Sequence, residues 1–538
     1  MDRILVRILL ATAFCWLVSC GEKPVEPEVP EAAPVLVSSD PASGAVDVPI
    51  KTAAIVLTYD QNVKCPTASQ AGISLSGGAT VTKVSAYGTA VTVSVSGLDY
   101  ETHYTLSLPA GAVLGYKANQ SESAAVSVSF TTEKKPDTGT DVRESDVAWN
   151  LAAKLGLGWN MGNHMDAIYN WHYVDGSGFD WYNYPNETVW GNDPCTQTTF
   201  NNVKKAGFTS VRIPVTWMNY IGPAPDYKID ATWMNRVAEI VGYAETAGLN
   251  VIINMHHDEN HGDDHWQDIK TAAKDAARNT EIKNEIRATW TQIANKFKDK
   301  GEWLIFESFN EINDGGWGWS EDFRKDPTVQ CNILNEWNQV FVDAVRATGG
   351  GNATRWLGVP TYAASPAYEV YAKMPTDPAG KLMLSVHFYD PSDYTIGDAQ
   401  YSDWGHTGAV GKKASGGDED HVRDTFNNLT RKYVNRGIPV YLGEFGCSMR
   451  AQSDTRAWSF YLYYIEYVTK AARTYGLPAF LWDNGAKGTG KEQHGYINHA
   501  DGSYIGNSKI PVDLMVKAMT DNTASYTLES VYNRAPKF

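Results

Sequence analysis

Runs of apolar residues recur along the chain after residue 142, and most are too continuous to leave one face of a strand in water. Eight of these runs are predicted as buried strands: 157–160, 210–213, 250–255, 303–309, 355–359, 382–388, 440–444 and 479–482. The segments between them repeat apolar residues at helical spacing. In one segment Asp230 can cap a helix that Gly248 ends. Strands that alternate with helices predict a parallel sheet.

This alternation favours an α/β fold in which eight strands close into a (β/α)8 TIM barrel with long loops. An open, doubly wound sheet is the alternative. The first predicted strand-to-helix turn reads GLGWNMGNH, which lacks the GxGxxG phosphate turn of that alternative. The sequence therefore favours the barrel for residues 144–538.

A different pattern occupies residues 35–132, where short alternating or β-branched segments are separated by glycines. Segments 54–59, 80–84, 90–95 and 125–130 are predicted as strands. Regular short strands predict a small all-β sandwich, and the pattern resembles bacterial Ig-like modules. Because it carries no cluster of tryptophans, we interpret it as a spacer and keep a polysaccharide-binding role as the alternative.

The N-terminus is typical of an export signal, because Arg3 and Arg7 supply positive charge and residues 4–18 are mostly apolar but too short to span a membrane comfortably. The stretch ends in LVSCG, which resembles a bacterial lipobox. This resemblance implies a signal at residues 1–20, lipidation of Cys20 and an exported lipoprotein anchored at the outer membrane or cell surface. An ordinary secretory signal is the alternative. Residues 21–34 and 133–143 are rich in proline or charge and are predicted linkers.

The amino-acid composition favours some classes of binding partner over others. The formal net charge of −16 argues against nucleic acid or an anionic membrane surface, because both bind clusters of Lys and Arg. The 18 Trp and 29 Tyr favour ligands with flat apolar faces, such as sugar rings. A monomer is expected. Four cysteines outside the signal are scattered and predicted as thiols, with one disulfide left open: Cys65, Cys195, Cys331 and Cys447.

Carboxylates stand at the ends of two predicted strands. Glu311 follows 303–309 directly after Asn310, and Glu444 ends 440–444. A carboxylate at the end of a buried strand is costly unless it is paired or takes part in chemistry. Because the C-terminal strand ends of a barrel meet at one mouth, the two glutamates are predicted as a catalytic pair. Other polar or aromatic residues near the strand ends are expected beside them: Asn160, Asn163, Arg212, His256, His257, His387, Tyr389 and Trp482.

Seven motifs resemble glycoside hydrolase family 5 across essentially the whole barrel: GWNMGN, VRIPVTW, NMHH, FNE, VHFY, GEFG and LWDNG. The resemblance implies a retaining, endo-acting enzyme that cleaves β-1,4-glucan backbones and requires no cofactor or metal. Glu311 would be the general acid/base and Glu444 the nucleophile. Their carboxyl groups would then lie about 5–5.5 Å apart, whereas an inverting enzyme would hold them about 6.5–9.5 Å apart.

The same resemblance implies roles for the surrounding residues. Arg212 would keep Glu444 charged and Tyr389 would donate a hydrogen bond to it, while Asn310 would contact the 2-hydroxyl of the sugar. The central subsite would be shaped by three histidines, with a tryptophan stacked under its sugar ring: His256, His257, His387 and Trp482. One departure is His164, where many relatives carry Thr.

Residues 187–192, ETVWGN, and Trp404-Gly405 further resemble the endo-β-1,4-glucanase branch that includes xyloglucanases. Trp190 is therefore expected to bind substrate, and so is Asn163, which belongs to the GWNMGN motif. Several tryptophans are expected on exposed loops, where they can line a long cleft: Trp171, Trp181, Trp190, Trp266, Trp317, Trp319 and Trp404. A cleft that binds several sugars implies endo action on a polymer.

Three alternatives remain at this stage. The first is metal-dependent hydrolysis, because the segment HHDENHGDDH, residues 256–265, is rich in possible metal ligands, although its spacing matches neither HExxH nor HxHxDH. A non-catalytic glycan-binding surface protein would use the barrel only to hold its ligand. Within the enzyme class, the motifs leave open whether the substrate is cellulose-type glucan, mixed-linkage glucan, xyloglucan or mannan.

Overall fold

The structure, a computed structural model, describes residues 32–117, 121–135, 139–168, 186–259, 265–397 and 401–538. The chain divides into two compact units, residues 1–137 and residues 138–538. Across the described ranges, none of the helices combines the length and apolar character that crossing a membrane requires. The predicted signal, including Cys20, lies outside the described residues.

The N-terminal unit is a β-sandwich. Its strands are β1 (Leu36–Asp40), β2 (Ala45–Val48), β3 (Ala54–Tyr59), β4 (Val63–Lys64), β5 (Ser74–Leu75), β6 (Thr80–Tyr87), β7 (Ala90–Ser96), β8 (His103–Leu108), β9 (Leu114–Gly115) and β10 (Val126–Thr132). One sheet has the order β1-β3-β7-β6 and the other the order β2-β10-β8-β5. Alternate residues such as Ile55 and Leu57 on β3, and Tyr104 and Leu106 on β8, are buried in one apolar core. The predicted sandwich is confirmed.

The C-terminal unit is built on parallel strands: β11 (Leu157–Asn160), β12 (Ser210–Ile213), β13 (Asn250–Ile253), β14 (Leu304–Glu307), β15 (Leu357–Pro360), β16 (Leu382–Phe388), β17 (Val440–Phe445) and β18 (Ala479–Leu481). They pair in sequence order, and β18 pairs with β11, so that the described strands close an eight-stranded barrel. Almost every strand residue is buried, because helices cover the outside and side chains fill the inside. The predicted barrel is confirmed.

Helices follow the strands around the barrel. They are α1 (Val147–Leu155), α2 (Gln197–Lys205), α3 (Ala231–Thr246), α4 (Ile269–Ala272), α5 (Ala276–Lys296), α6 (Glu321–Lys325), α7 (Pro327–Ala347), α8 (Ser392–Thr395), α9 (Glu419–Lys432), α10 (Thr455–Thr474), α11 (Lys509–Thr520) and α12 (Leu528–Tyr532). Helix α3 is the one predicted after Asp230, whose side chain accepts the backbone N–H groups of Thr232 and Trp233. Such a cap satisfies donors that have no partner inside the helix.

The predicted strands agree with the observed barrel strands to within two residues at each end. The predictions 250–255 and 303–309 run past the ends of β13 and β14, since Met255 and Phe309 remain fully buried after the ladder has ended. An apolar run indicates that residues are buried, not where a strand ends. Here the buried residues continue into the loops at the mouth of the barrel. The cysteines outside the signal are all free thiols, three of them buried and Cys65 half-buried.

Candidate active site

The C-terminal ends of four barrel strands bring the predicted catalytic residues together. Arg212 lies on β12, His387 on β16 and Glu444 on β17, while Glu311 follows β14. One oxygen of each glutamate and a ring nitrogen of His387 lie within 4.8 Å of one another. The fold thus brings both glutamates and His387 to one place at the mouth of the barrel.

A local irregularity between β16 and β17 sets the position of Glu444. The pairing shifts register after Val386, which makes His387 the neighbour of Glu444. Gly443 allows this approach, because a Cβ there would lie 3.0 Å from both the Nε2 atom of His387 and the Oγ atom of Ser385. A bulge of this kind re-aims a side chain next to an active site.

Arg212 connects four strands at the base of the site, and its side chain is fully buried. Its Nη1 atom donates to Glu444 Oε1 at 2.9 Å and to Asn160 Oδ1 at 3.0 Å. Its Nη2 atom donates to Asn310 Oδ1 at 2.8 Å, and its Nε atom donates to Glu307 Oε2 at 2.7 Å. Burial alone would lower the pKa of Arg212, but the charges of Glu307 and Glu444 raise it above its ordinary value. The guanidinium is therefore a permanent cation.

Glu444 is held by donors on both of its oxygens. Arg212 donates to Oε1, and the Tyr389 hydroxyl donates to Oε2 at 2.9 Å. Burial raises the pKa of Glu444 above its ordinary value, while His387, Arg212 and the Tyr389 hydrogen bond act to lower it. Burial, followed by the charge of Glu444, raises the pKa of Tyr389 well above its ordinary value, so the phenol keeps its proton and remains a donor. The carboxylate thus has a cation and a hydroxyl to stabilise its ionised form.

Glu311 has a different environment. Its Oε1 atom lies 2.6 Å from Nδ1 of His387, whose ring is also 3.6 Å from Glu444. Burial lowers the pKa of His387 to about 4, even though the charge of Glu444 acts to raise it. The imidazole is therefore neutral at pH 7. Glu311 thus has a neutral hydrogen-bonding neighbour, whereas Glu444 has a guanidinium, and such a difference lets one carboxyl keep a proton while the other is ionised.

Two adjacent histidines after β13 carry different charges. Burial, together with the nearby His257 and Arg212, lowers the pKa of His256 well below its ordinary value. Burial would also lower the pKa of His257, but its hydrogen bond to Glu259 and the charges of Glu259 and Asp166 raise it to about 9. The site therefore contains a neutral imidazole beside an imidazolium.

Aromatic rings extend this part of the site. The Trp482 ring is parallel to the His256 ring, with centroids 5.8 Å apart. Gly162 lies directly against Trp482, because a Cβ at position 162 would be 2.6 Å from the indole. The Trp190 ring lies 5.5 Å from His257, and Trp190 is 38% exposed. Together these four rings offer flat faces at the mouth of the barrel.

A hydrogen bond between Asn192 and the backbone of Asn163 helps to join the loops that carry these rings. Its backbone oxygen accepts the Nδ2–H of Asn192 at 2.8 Å, and the same amide group donates to the backbone oxygen of Asn484 at 3.0 Å. Asn192 therefore connects the loop after β11, its own ETVWGN segment and the loop after β18. The structure thus places the predicted residues Asn163, Trp190 and Trp482 in one neighbourhood.

Two buried carboxylates at the site were absent from the sequence prediction. Glu307 ends β14, and its Oε1 atom accepts the hydroxyls of Ser385 and Tyr441, each at 2.7 Å. Asp166 accepts the backbone N–H groups of Asn163 at 3.0 Å and His164 at 2.7 Å. Glu307 had a usable signal, since a charged residue inside a strand buried on both faces requires a partner. Asp166 stands in a loop, where the sequence offered no comparable signal.

The expectation of exposed loop tryptophans was partly wrong. Trp266 is 8% exposed and donates its indole N–H to Asp258, and Trp404 is 2% exposed and donates to the backbone oxygen of Gly417. Both are packing residues, because a buried indole with a satisfied N–H fills a core. Trp190, Trp317 and Trp319 are exposed, at 38%, 45% and 77%. Trp171 and Trp181 lie outside the described residues.

Groups of side chains with metal-ligand chemistry occur within the described ranges. They are His164 with Glu187 and Cys195, Asp166 with His256 and His257, and Glu311 with His387 and Glu444. In the first group, Arg236 donates two hydrogen bonds to Glu187 and so already supplies a positive charge there. Residues 260–264, half of the histidine-rich segment, lie outside the described residues. The departure at His164 places its Nε2 atom 3.0 Å from Glu187 Oε1, an ion-pair contact if the ring is protonated.

Comparisons with known proteins match both units. The family model for Cellulase (glycosyl hydrolase family 5) matches residues 173–488, and the model for the Bacterial Ig-like domain matches residues 30–132. The chain is 36% identical over 374 residues to Endoglucanase A of Paenibacillus barcinonensis, which covers 67% of this chain and 86% of that protein.

Two solved structures are similar to the barrel. A GH5-4 broad specificity endoglucanase from Bacteroides salanitronis has a TM-score of 0.65 and 48% identity, covering 72% of this chain and 99% of that one. A family 5 xyloglucanase from Paenibacillus pabuli, in complex with ligand, has a TM-score of 0.60 and 33% identity, covering 69% of this chain and 99% of that one.

Proposed function

The chain belongs to glycosyl hydrolase family 5, and from that premise we propose how its barrel cleaves a polysaccharide. The protein is an endoglucanase, an endo-acting hydrolase of β-glucan backbones. The similar proteins include a broad specificity endoglucanase and a xyloglucanase, so the proposed substrates are cellulose-type glucan, mixed-linkage glucan and xyloglucan. The alternatives are a β-mannanase and a non-catalytic glycan-binding protein, and the test below distinguishes them from the proposal.

In the first step, Glu444 attacks the anomeric carbon and forms a covalent glycosyl ester, while the bond to the leaving sugar breaks. Glu311 gives its proton to the leaving oxygen in the same step. The observation that carries these roles is the contrast between the two carboxyls: Glu444 accepts hydrogen bonds from Arg212 and Tyr389, while Glu311 lies against neutral His387.

In the second step, the ionised Glu311 takes a proton from water, and the water oxygen attacks the anomeric carbon. Glu444 leaves as a carboxylate, and the configuration at the anomeric carbon is retained after two inversions. The separation of less than 4.8 Å between the nearest glutamate oxygens supports this double displacement, because an inverting enzyme needs room for a water between its carboxyls.

The remaining polar groups position the sugar. Arg212 accepts no hydrogen bond and holds Asn310 by its Oδ1 atom, so the amide N–H₂ of Asn310 is left as a donor for the 2-hydroxyl. His256, His257 and His387 shape the central subsite, with Trp482 under its sugar ring. Trp190 and Asn163 complete the substrate-binding set.

The location of the protein is extracellular, as its Ig-like domain and its secreted type of glycoside hydrolase indicate. Lipidation of Cys20 as the only membrane attachment, at the outer membrane or cell surface, is part of the proposal and rests on the lipobox-like LVSCG sequence. A monomeric state, the domain bounds given above and the spacer role of the Ig-like module are further parts of it.

The test is product analysis with the purified protein, without residues 1–20, on a panel of soluble β-glucans and mannans. We expect rapid release of oligosaccharides from β-glucan, unchanged by EDTA, with the β-anomer as the first product observed by NMR. Release of the α-anomer first would contradict the double displacement. Activity that EDTA abolishes would favour the metal-dependent alternative, and the absence of release would favour glycan binding alone.

A further inference from the structure

Trp317 and Trp319 lie on a loop after β14, residues 313–320, which we call the tryptophan loop. Trp319 is 77% exposed and Trp317 is 45% exposed. Exposing a large aromatic side chain to water is unfavourable. Neighbouring exposed aromatic residues therefore often mark a binding surface. The tryptophan loop is therefore a candidate ligand-binding surface close to the active site.

The tryptophan loop is fastened to the backbone of the acid/base residue. Asn313 is fully buried, and its Nδ2 atom donates to the backbone oxygen of Glu311 at 2.8 Å. Its Oδ1 atom accepts the backbone N–H groups of Gly315 at 2.8 Å and of Trp317 at 3.3 Å. One side chain thus fixes the start of the loop relative to Glu311.

Asp314 fixes the rest of the turn. It accepts the backbone N–H of Gly316 at 3.0 Å, the Ser320 hydroxyl at 2.5 Å and the side-chain amide of Gln330 at 2.9 Å. Gln330 belongs to α7, so the loop is attached to the helical layer of the barrel as well as to β14. Hydrogen bonds from both directions reduce the number of conformations that the loop adopts.

The backbone of the tryptophan loop is unusual for its residues. Trp317 has a φ of +51°, a conformation that is unfavourable for a bulky side chain and that persists only where the surroundings impose it. Gly318 lies against Tyr368, because a Cβ at position 318 would be 1.7 Å from the Tyr368 hydroxyl oxygen. The surroundings therefore fix the backbone of the loop at Trp317 and Gly318 before a ligand binds, which lowers the entropy lost on binding.

The order of the strands places the tryptophan loop across the mouth from the other aromatic residues. Trp482 follows β18 and Trp190 follows β11, and these two strands are neighbours. Strand β14 is separated from β11 by two strands and from β18 by three. A glucan chain that runs across the mouth would meet Trp190 and Trp482 on one side of the carboxylates and the tryptophan loop on the other.

We propose that Trp317 and Trp319 bind the leaving-group part of the β-glucan chain by stacking on its pyranose rings. The loop begins two residues after Glu311, which delivers the proton to the leaving oxygen, so it extends the site in the direction of the departing sugars. This inference rests on the proposed function, since it assigns Glu311 as the acid. The surface would decide how firmly the enzyme holds polymer beyond the bond that it cleaves.

The test compares two substrates that differ only on the leaving-group side. Cellohexaose has sugars there, whereas an aryl β-cellotrioside has only a phenol. We expect Trp319→Ala to lower kcat/KM for cellohexaose by about tenfold, the effect typical of losing a stacked aromatic contact. The same variant should lower kcat/KM for the aryl β-cellotrioside much less, because a single aryl ring replaces the chain of departing sugars. The melting temperature should stay unchanged, because Trp319 is mostly exposed.

Two further variants control the comparison. Trp319→Phe keeps a smaller aromatic face and should lose less activity on cellohexaose than Trp319→Ala. Tyr87→Ala removes a 92% exposed aromatic residue from the N-terminal unit and should change kcat/KM for neither substrate. Equal losses on both substrates, or no loss on cellohexaose with Trp319→Ala, would overturn the inference. A wild-type protein that cleaves neither substrate would overturn the proposed function and the inference with it.

Discussion

Glu307→Gln is the substitution that tests the electrostatics of the site most directly. It removes one negative charge beneath Arg212 and keeps the shape of the side chain. Glu307 now accepts three hydrogen bonds, from Arg212 on one oxygen and from Ser385 and Tyr441 on the other. A glutamine has one acceptor and one N–H₂ group, so one side must turn a donor towards a donor. We expect a loss of about 3–5 kcal/mol in the free energy of unfolding.

The same substitution should shift the pH dependence of catalysis. Glu307 and Glu444 both contact Arg212, at 2.7 and 2.9 Å, so their charges repel each other across one guanidinium. Unit charges on the order of 6 Å apart interact by about 2.8 kcal/mol at an effective dielectric constant of about 20. Removing the charge of Glu307 should therefore lower the pKa of Glu444, because this repulsion is lost and Arg212 no longer divides its charge between two carboxylates.

The assay is the pH profile of kcat/KM on a soluble β-glucan, with thermal unfolding measured in parallel. The acid limb reports ionisation of the nucleophile in the free enzyme, so it should move to lower pH in Glu307→Gln. Glu466→Gln is the matched control, because Glu466 is also buried and hydrogen-bonded, to Tyr526 and Arg534, on the outer helix α10. It should lose stability without moving the limb. An unchanged acid limb in folded Glu307→Gln protein would refute the coupling.

The other predictions concern the carboxylates as well. Glu444→Gln should abolish turnover of every substrate, whereas Glu311→Gln should retain activity on aryl glycosides, whose phenol leaves without protonation; equal losses on both substrate types would contradict the assigned roles. Burial opposes the shift, but the contacts with His164 and Arg236 lower the pKa of Glu187 to about 2. This stability is present above the unfolded value of about 4.5 and is lost as pH falls to about 2, about 3 kcal/mol in all. Unfolding of Glu187→Gln should therefore depend less on pH in that window, and an identical acid profile would contradict the assignment.

The sequence predicted the barrel because each buried strand is a continuous apolar run and each is followed by an amphipathic segment. It predicted Glu311 and Glu444 because a carboxylate where such a run ends needs a reason. The loops were harder, since Trp266 and Trp404 stand in polar surroundings along the chain and are buried by residues distant in sequence. Glu307 gave no signal comparable to that of Glu311 and Glu444, because it stands inside a strongly apolar run, with Leu304, Ile305 and Phe306 before it and Phe309 after it.

The position of Asp166 and the charge of His257 also could not be predicted from the sequence. Asp166 approaches the two histidines only when the loop after β11 folds over the end of β13, with 3.9 Å between Asp166 and His257. The distance between these residues along the sequence does not reveal this contact. The divided protonation of His256 and His257 likewise depends on burial and on Glu259, which the chain order alone does not determine.

The hydrogen bonds of Arg212 have a consequence for how this protein can change over evolutionary time. Its guanidinium joins side chains from three other barrel strands or their ends: Asn160 on β11, Glu307 and Asn310 at the end of β14, and Glu444 on β17. The effects of substitutions within such a set are strongly non-additive, because each substitution changes the free-energy effect of the others. Single mutations there would mostly be lost to selection. New substrate preferences would then arise in the loops around the mouth, where exposed residues such as Trp319 can vary one at a time without disturbing the chemistry below.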